Sequence, residues 1–484
     1  MSLPRLILAA ALLVAAPAGA NPPPLDQRVA ELLAAAPAGT RFGALVVTAD
    51  GREVLAINPD QRFIPASNIK LFTTAAAYAL LGRVDQPDSA AGAGVALARG
   101  RAGRVDVVLT GFGDARLSSA ADCISDCLAA LADAVAARTR QVGDVIGDGS
   151  WFPDERWSPG MSWNNIGTVS GTAISALSLD DNELPIAVTP TAPGQPPNVE
   201  FPPYLQLVNA AVTVAEGKNT LAIERAVNGT AVRLFGAIPL GGGVWQDRLG
   251  IDDPAHYAAA TLRRMLEARG VRVRGRAIAR HRPLGPGDDP VVRAGLPVAT
   301  PAQVPFLARL TPEPLADDLR IINKLSQNLH AELVMRRIGR LAGTGSLADG
   351  VAAIHGVLAR AGIPRAGFEL ADGSGMSSYS RISPRAAVSL LRWAQTQPWG
   401  AEWRGSLPIG GTDGSLRRRF AGTALQGRVF AKTGTLNATS TLSGYLIAAS
   451  GRELTFSLLA NDIPAGGTTT EVMDAALLLI AGAN

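Results

Sequence analysis

Lysine is rare in this chain, and three of its lysines lie in or beside short patterns that could do chemistry. Lysine occurs four times among 45 basic residues, at Lys70, Lys218, Lys324 and Lys432, and all the others are arginine. Arginine keeps its proton in proteins, whereas a lysine in a partly desolvated pocket can lose one and act as a base. The lysines that remain in so arginine-rich a chain are therefore candidates for proton transfer.

The first pattern places Ser67 three residues before Lys70, at the predicted start of an apolar helix that runs to about Leu81. Residues three apart on a helix share one face and lie one turn from each other. A lysine with a lowered pKa can then accept the serine proton, and the helix N-terminus favours negative charge near the serine. Taken alone, this spacing is more typical of a helix-capping serine beside a solvated lysine.

Two further patterns lie much later in the chain. Ser326-Gln327-Asn328 falls in a region of helical periodicity, where a serine hydroxyl can relay protons and an asparagine amide can hold a substrate carbonyl. Lys432-Thr433-Gly434-Thr435 follows a β-like run at 429–431. A cationic lysine beside a hydroxyl suits a terminal carboxylate, and a glycine lets a substrate backbone approach the strand closely. In isolation these patterns also fit ordinary polar helix residues and a turn at a strand end.

The elements that must position these patterns come from both ends of the chain. Runs at 42–49 and 53–57 flank an Asp-Gly turn and predict one β-hairpin, and runs at 441–449 and 453–460 predict another. Helical spacing predicts a first helix from Leu25 and a last helix after a capping box at Thr468 and Glu471. Both ends of the chain therefore build one sheet. The region 92–301, with many short β-like runs, indicates inserted β-rich material.

Composition excludes several classes of protein. The chain has 484 residues, 47% of them hydrophobic and 18% charged, which indicates a globular protein of more than one domain. No basic tract is interleaved with aromatic residues, so nucleic-acid binding has no support. The four histidines are scattered and form no zinc motif. Cys123 and Cys127 could pair in an oxidising compartment, or could be two small apolar residues on a helix.

Residues 1–20 predict a cleavable secretion signal. Arg5 supplies the charged start, an apolar run covers 6–16, and Ala18 and Ala20 give the small-x-small pattern before a cut at Asn21. The run is too short for a membrane anchor, and no later segment is long and apolar enough to span a bilayer. We expect an exported, periplasmic protein without a transmembrane segment; loose membrane association stays open.

Taken together and in this order, the three patterns are the signature of penicillin-recognising serine enzymes. The chain resembles the class C low-molecular-mass penicillin-binding proteins, the D-alanyl-D-alanine carboxypeptidase/endopeptidases. Ser67 and Ser326 are 259 residues apart, and Ser326 and Lys432 are 106 apart; class A β-lactamases place the first two patterns much closer together. The run from Asp372 to Gly375 also resembles a stretch that this family carries between its second and third patterns.

The resemblance implies a fold of the α/β class, α+β type. A β-lactamase/transpeptidase-like catalytic domain, with a five-stranded antiparallel sheet flanked by helices, would be split between residues 21–88 and 306–484. The inserted β-rich region would then cover 89–305. Within it, an outer domain is expected at about 89–180 and 250–305, and an inner domain at about 181–249.

The resemblance also implies a role for each patterned residue in hydrolysing a D-alanyl-D-alanine bond through an acyl-enzyme. The expected catalytic residues are the nucleophile Ser67, its base Lys70, and Ser326, Asn328 and Lys432; the oxyanion hole is the N–H groups of Ser67 and Thr435; and the substrate-binding residues are Lys432, Thr433, Gly434 and Asp148. Asp148 would meet the free amino group of diaminopimelate. The alternative interpretation of Asp148 is an exposed aspartate in a turn.

The implied ligands are peptidoglycan peptides and β-lactams, with no metal or organic cofactor. Hydrolysis would be of the carboxypeptidase type or, on cross-linked peptides, of the D-alanyl-diaminopimelate endopeptidase type. A β-lactamase or an S-x-x-K esterase would use the same residues, and a non-enzymatic wall-binding protein is a third alternative. The large insertion disfavours a β-lactamase, and the K-T-G carboxylate site disfavours an esterase. The retained serine and lysines disfavour a non-enzymatic wall-binding protein. Oligomeric state and protein partners stay open.

Overall fold

A computed structural model describes residues 23–298, 300–302 and 305–484, so the predicted signal at 1–20 lies outside the described residues. The helices are α1 (Leu25–Leu33), α2 (Ile69–Leu80), α3 (Leu128–Arg138), α4 (Pro254–Ala268), α5 (Pro290–Arg293), α6 (Leu315–Lys324), α7 (Asn328–Arg340), α8 (Leu347–Arg360), α9 (Pro384–Gln395), α10 (Gly400–Gly405) and α11 (Thr470–Ala483). No helix in these ranges is long and apolar enough to cross a membrane.

The strands fall into sheets that belong either to the chain ends or to its middle. They are β1 (Arg41–Thr48), β2 (Glu53–Ile57), β3 (Gly94–Arg99), β4 (Val105–Thr110), β5 (Gln141–Val142), β6 (Val145–Asp148), β7 (Glu183–Thr189), β8 (Asn198–Glu200), β9 (Gln206–Val214), β10 (Ala222–Arg225), β11 (Ala231–Pro239), β12 (Trp245–Gly250), β13 (Arg272–Val273), β14 (Ala277–Arg280), β15 (Ala308–Arg309), β16 (Phe368–Glu369), β17 (Arg381–Ile382), β18 (Val429–Leu436), β19 (Thr439–Ile447) and β20 (Glu453–Asn461).

The principal sheet has five strands in the order β18-β19-β20-β1-β2, and every pairing in it is antiparallel. This confirms the expected five-stranded antiparallel sheet and both predicted hairpins. Alternate residues of a strand point to opposite faces of a sheet. In β1, Ala44 and Val46 enter one hydrophobic cluster while Leu45 and Val47 enter another. The sheet is therefore buried on both faces, which explains the nearly continuous apolar sequence of its strands.

Helices cover the two faces as expected. Helices α1 and α11 bury residues such as Val29 and Leu477 against one face, and α2, α6, α7, α8 and α9 share a larger cluster on the other side. In α2, ten consecutive residues from Ile69 to Tyr78 are buried. A helix that is apolar on all sides belongs inside a protein core. Lys70 is one of those ten residues, so the helix carries it into the interior.

The middle of the chain forms sheets of its own, but it also contains helices that the sequence interpretation did not predict. A mixed sheet has the order β14-β6-β4-β3-β15, and α3 and α4 pack with it in one hydrophobic cluster. Two smaller three-stranded sheets, β12-β7-β8 and β10-β11-β9, lie in the segment 183–250. The description of the insert as β-rich is therefore incomplete. Its domain limits stay predictions.

The structure decides between the two alternatives for the cysteines and corrects one capping prediction. Cys123 and Cys127 form a disulfide, and both precede α3, so they do not share a helix face. The last helix has Thr469 at its N-cap without a side-chain cap, so the capping box expected from Thr468 and Glu471 is absent. Thr468 instead accepts a hydrogen bond from the backbone N–H of Thr470 through its hydroxyl, at 3.3 Å.

Candidate active site

The structure brings the three sequence patterns into one cleft between α2, α7 and the edge strand β18. Ser67 lies in a short 3₁₀ turn, Ala66–Asn68, directly before α2. Lys70, in the first turn of α2, donates hydrogen bonds through Nζ to Ser67 Oγ at 2.9 Å and to Asn328 Oδ1 at 2.6 Å. The N-cap of α2 is Asn68, not Ser67, and Lys70 is fully buried. The interpretation as a capping serine beside a solvated lysine is therefore wrong.

The turn that carries Ser67 is fixed by close backbone packing. Ala66 has φ +46°, a conformation that costs energy for any residue except glycine. Gly375 packs against it so closely that a Cβ atom there would lie 1.9 Å from Ala66 O. On the other side, a Cβ atom at Gly434 would lie 2.8 Å from Pro65 O and 3.0 Å from Ser67 N. Both glycines let backbone approach the turn, which holds the hydroxyl in place.

Ser326 lies between two helices, although the sequence suggested continuous helical periodicity. It has φ +63° and separates α6 from α7. Gln327, the middle residue of the pattern, caps α7 by accepting a hydrogen bond from Leu329 N at 2.9 Å. Lys432 Nζ donates to Ser326 Oγ at 2.9 Å. The break in the helix thus turns the serine hydroxyl toward the strand lysine.

Strand β18 presents part of its outer edge to the cleft. Ala431 N donates to Pro408 O, and Val429 O accepts from Gly410 N, so residues 429 and 431 face the loop that covers the start of this edge. Backbone groups alternate between the two sides of a strand. Thr433 and Thr435 therefore face the same outer side, beyond the covering loop. The hydroxyl of Thr433 lies 2.6 Å from that of Ser415.

Gly434 serves the packing of the protein itself, whereas the sequence suggested only close approach of a substrate. A Cβ atom there would lie 2.2 Å from Thr441 Oγ1. That hydroxyl donates to Pro65 O at 2.9 Å and accepts from Asn68 Nδ2 at 2.9 Å. Asn68 also donates to Lys432 O at 3.0 Å. This buried network ties the nucleophile turn to β18 and sets the distance between the two lysines.

The electrostatics of Lys70 suit a base that works near neutral pH. Burial lowers the pKa of Lys70 to about 7, opposed by attraction to the carboxylates of Asp372 and then Glu332. An amine with a pKa near the ambient pH is often neutral and can accept a proton. The short hydrogen bond from Lys70 Nζ to Ser374 O, at 2.6 Å, aims the nitrogen at the cleft.

Two buried carboxylates lie beneath this lysine. Glu332 Oε1 accepts hydrogen bonds from Gly373 N at 3.0 Å and Ser374 N at 2.9 Å, and Glu332 Oε2 has no partner among the described residues. Burial, followed by the negative charge of Asp372, raises the pKa of Glu332 to about 7. Burial also raises the pKa of Asp372. The pair holds the loop whose carbonyl group contacts Lys70, and supplies negative charge close to it.

Lys432 has a different environment. It is fully buried, and Nζ donates to Ser326 Oγ and, at 2.9 Å, to Thr433 O. Burial, followed by repulsion from Lys70, lowers the pKa of Lys432 well below its ordinary value. Neither of the neighbours to which its nitrogen donates carries a negative charge. An anion that enters the cleft would restore the positive charge of this lysine.

Comparison with known proteins shows the family to which this chain belongs. The family described as D-Ala-D-Ala carboxypeptidase 3 (S13) matches residues 25–479. A D-alanyl-D-alanine carboxypeptidase from Actinomadura sp. (strain R39) is 34% identical over 481 residues, covering 95% of this chain and 85% of the relative. The chain belongs to the D-Ala-D-Ala carboxypeptidase 3 (S13) family. It is thus a member of a peptidase family of the penicillin-binding class that its sequence patterns indicated.

A solved structure supports the fold of this S13 protein. Penicillin binding protein 4 (dacB) from Haemophilus influenzae superposes with a TM-score of 0.77, over 94% of this chain and 97% of that one. At 21% identity, this likeness shows the fold alone. A second structure of that protein, complexed with a β-lactam, superposes with a TM-score of 0.72 at 20% identity, over 93% and 97%. The β-lactamase/transpeptidase-like fold class predicted from the sequence is confirmed.

Asp148 is the one predicted site residue of this S13 protein for which the structure shows no contact with the cleft. It ends β6, its side chain is 7% exposed, and Oδ2 accepts from Arg280 Nη1 at 2.8 Å. The alternative interpretation as an exposed turn residue is therefore wrong. No hydrogen bond among the described residues links Asp148 to Ser67 or to either lysine. Its role toward diaminopimelate stays a prediction.

Sequence reasoning missed several residues that build the site. Glu332 lies one helical turn after Asn328 on α7, so a carboxylate one turn from a predicted site residue was the available signal. Asn68 and Thr441 gave no signal, because their contacts join residues 373 positions apart. From the insert, Ser170 O accepts a hydrogen bond from Asn328 Nδ2 at 2.9 Å. The inserted region therefore helps to orient the asparagine amide.

Proposed function

We propose that this protein is a serine-type D-Ala-D-Ala carboxypeptidase that acts on peptidoglycan peptides through an acyl-enzyme on Ser67. The observation that carries the proposal is the hydrogen bond of 2.9 Å between Ser67 Oγ and the buried amine of Lys70. A serine is a weak nucleophile unless a base lies within hydrogen-bonding distance of it. Here the base is a lysine whose pKa burial lowers to about 7.

In the proposed acylation step, Ser67 Oγ attacks the carbonyl carbon of the penultimate D-alanine while Lys70 takes the hydroxyl proton. The oxyanion receives hydrogen bonds from the backbone N–H groups of Ser67 and Thr435. The alternation of β18 supports this role, because Thr435 faces the outer edge of the strand. Ser326 passes a proton to the departing amine and receives one in turn from Lys432 Nζ, which donates to its hydroxyl at 2.9 Å. Water then cleaves the ester.

The strand side of the cleft would bind the end of the substrate. Lys432 and Thr433 attract the terminal carboxylate, and an extended peptide can add to the open edge of β18 as a further strand. Asn328, whose amide is oriented by Lys70 and Ser170, holds the peptide carbonyl. An esterase would have no use for a carboxylate site, so this side of the cleft favours a peptidase.

Three finer features belong to the same proposal. β-Lactams acylate Ser67, because their strained amide mimics the D-alanyl-D-alanine end. Cross-linked peptides are cleaved by the endopeptidase reaction, in which the leaving group is a diaminopimelate amine. The third feature is a periplasmic location, which rests on the signal predicted from the sequence of residues 1–20. The relative from H. influenzae, complexed with a β-lactam, supports the first feature by likeness of fold.

The test is intact-mass measurement after incubation with a fluorescent penicillin, followed by peptide mapping and a chase. We expect one adduct, on Ser67, that is released slowly. Ser67→Ala should lose both the adduct and D-Ala release from a D-Ala-D-Ala tripeptide. Ser450→Ala, at the exposed β19–β20 turn, is the matched control and should keep both. Labelling of the Ser67→Ala variant would contradict the proposal, and rapid release of the adduct would indicate a β-lactamase instead.

A further inference from the structure

A second concave surface lies next to the carboxylate side of the cleft. It has a volume of about 370 Å³ and is lined by Lys324, Leu325, Gly414, Ser415, Arg417 and Arg418. We call these six residues the cationic pocket, since three of them are basic. None of the sequence patterns includes it, and the mechanism above does not use it.

The cationic pocket is continuous with the proposed catalytic site. Leu325 directly precedes Ser326, and Ser415 Oγ lies 2.6 Å from the hydroxyl of Thr433. The pocket therefore begins where the substrate's carboxylate end would be bound. Ser67, which the acyl half of a substrate would join, contacts Lys70 on the helix side of the cleft. Whatever extends beyond the scissile bond on the leaving side would reach the pocket.

Two of the three charges in the pocket are available for a ligand. Lys324 pairs with Asp413 at 2.5 Å, and so is already occupied. Arg417 and Arg418 are exposed, and among the described residues their guanidinium groups have no hydrogen-bond or ion-pair partner. Their neighbour Arg419, by contrast, pairs with Asp474. The third arginine of the run is thus structural, and the first two are left facing the pocket.

The chemistry of the pocket suits a carboxylate attached to an apolar chain. Guanidinium groups bind carboxylates through paired, charge-assisted hydrogen bonds. Leu325, 71% exposed, adds an apolar surface beside them. A carboxypeptidase substrate releases a single amino acid, whose carboxylate is already bound at Lys432 and Thr433. Such a substrate would leave the pocket empty.

We propose that the cationic pocket binds a carboxylate of the second peptide in a cross-linked substrate, on the leaving side of the scissile bond. This inference rests on the proposed function and names its substrate class. The leaving amine of a cross-linked peptide continues into another peptide with carboxylates of its own. Arg417 and Arg418 lie where those carboxylates would fall, so the pocket favours endopeptidase over carboxypeptidase substrates.

The test compares the double variant R417Q/R418Q with the wild type on two substrates. One is a short peptide ending in D-Ala-D-Ala, and the other is a purified cross-linked dimer of two peptides. We expect kcat/KM on the dimer to fall about tenfold, as for the loss of charge-assisted hydrogen bonds, while kcat/KM on the short peptide changes less than about twofold. The control R272Q/R274Q removes two exposed arginines of the insert and should change neither value.

Other outcomes overturn the inference. If kcat/KM fell equally on both substrates, Arg417 and Arg418 would stabilise the site rather than bind the second peptide. If kcat/KM on the dimer did not fall, the pocket would not have this role. A wild type that cleaves the short peptide but not the dimer also contradicts it. A wild type that cleaves neither and is not labelled by penicillin would instead refute the proposed function. The dimer should bind more weakly to Ser67→Ala when R417Q and R418Q are added to it. This binding measurement does not depend on turnover.

Discussion

The two sides of the cleft each contain a fully buried lysine, yet the surroundings of these lysines differ. On the helix side, burial lowers the pKa of Lys70 to about 7, and attraction to the carboxylates of Asp372 and Glu332 opposes this lowering. On the strand side, Lys432 feels burial and the repulsion of Lys70, both of which lower its pKa. Lys70 therefore has negatively charged partners within the protein, and Lys432 has none among the described residues.

The contrast explains how one cleft can use lysine for two purposes. A base must exchange a proton near neutral pH. A buried amine can take up that proton only if nearby carboxylates stabilise its ammonium form. A receptor for a carboxylate should lack an internal partner, since a built-in ion pair would compete with the substrate. On this view Lys70 is the base, and Lys432 becomes charged when the substrate arrives.

We expect the largest change in rate when the amine of Lys70 is removed. Lys70→Met keeps the apolar volume but removes the base, and we expect the rate constant for acylation by penicillin to fall by about 10³-fold or more. Stopped-flow or gel-based labelling measures this rate. If the variant acylates within about tenfold of the wild type, another group activates Ser67.

Next in size is the removal of the strand-side cation. Lys432→Met should lower kcat/KM for a D-Ala-D-Ala peptide by about 10²-fold, because the terminal carboxylate loses a buried charged partner. The sharper reading uses the same peptide with its C-terminus amidated. The wild type should be less active on the amidated peptide than on the peptide with a free carboxylate. The variant should have nearly the same activity on both peptides. If Lys432→Met lowers kcat/KM by the same factor on both peptides, Lys432 acts in some way other than by binding the carboxylate.

Glu332→Gln tests whether the carboxylates are what distinguishes the two lysines. An amide keeps an acceptor for Gly373 N and Ser374 N but removes charge that favours the ammonium form of Lys70. The pKa of Lys70 should then fall further, so the midpoint of the pH–acylation profile should move down by about one pH unit. The plateau rate should also fall, since the base is weaker.

The control for this variant is Glu183→Gln. Burial also raises the pKa of Glu183, but this residue pairs with Arg248 in the insert, and Lys70 is not among the groups that shift its pKa. It should leave the midpoint unchanged. A Glu332→Gln variant whose rate falls at every pH without any displacement of the midpoint would assign Glu332 to packing alone.

The smallest effect is expected for Ser415→Ala. The hydroxyl of Ser415 lies 2.6 Å from that of Thr433, and one neutral hydrogen bond contributes about 1 kcal/mol. We expect kcat/KM to fall about fivefold on the peptide with a free carboxylate and not on its amide. Steady-state kinetics on both peptides measures this. An equal fall on both would mean that the hydroxyl does not act through the carboxylate.

Much of the fold could be predicted because its signals are local. The β-like runs at 42–49 and 53–57 around the Asp-Gly turn predicted a hairpin, and the apolar run after Lys70 predicted an apolar helix. Resemblance supplied the number of strands. The helices of the insert were missed, because α3 and α4 lie within a region dominated by β-like runs.

The site was predicted in its residues but not in its geometry. The patterns named the serines and lysines, whereas the left-handed backbone at Ser326 broke an apparently continuous helix. The contacts of Glu332 with Gly373 and Ser374 join residues about 40 positions apart, and no local pattern encodes them. The pairing of Asp148 with Arg280 across 132 positions was invisible for the same reason.

The most direct test of this account is the pH dependence of acylation of the wild-type protein by penicillin, followed as covalent adduct against time. Because only the neutral form of Lys70 can take the serine proton, the rate should rise with pH, with a midpoint at about 7, and level off above it. A rate that continues to rise to the pH range of an ordinary lysine, with a midpoint near 10, would contradict the account.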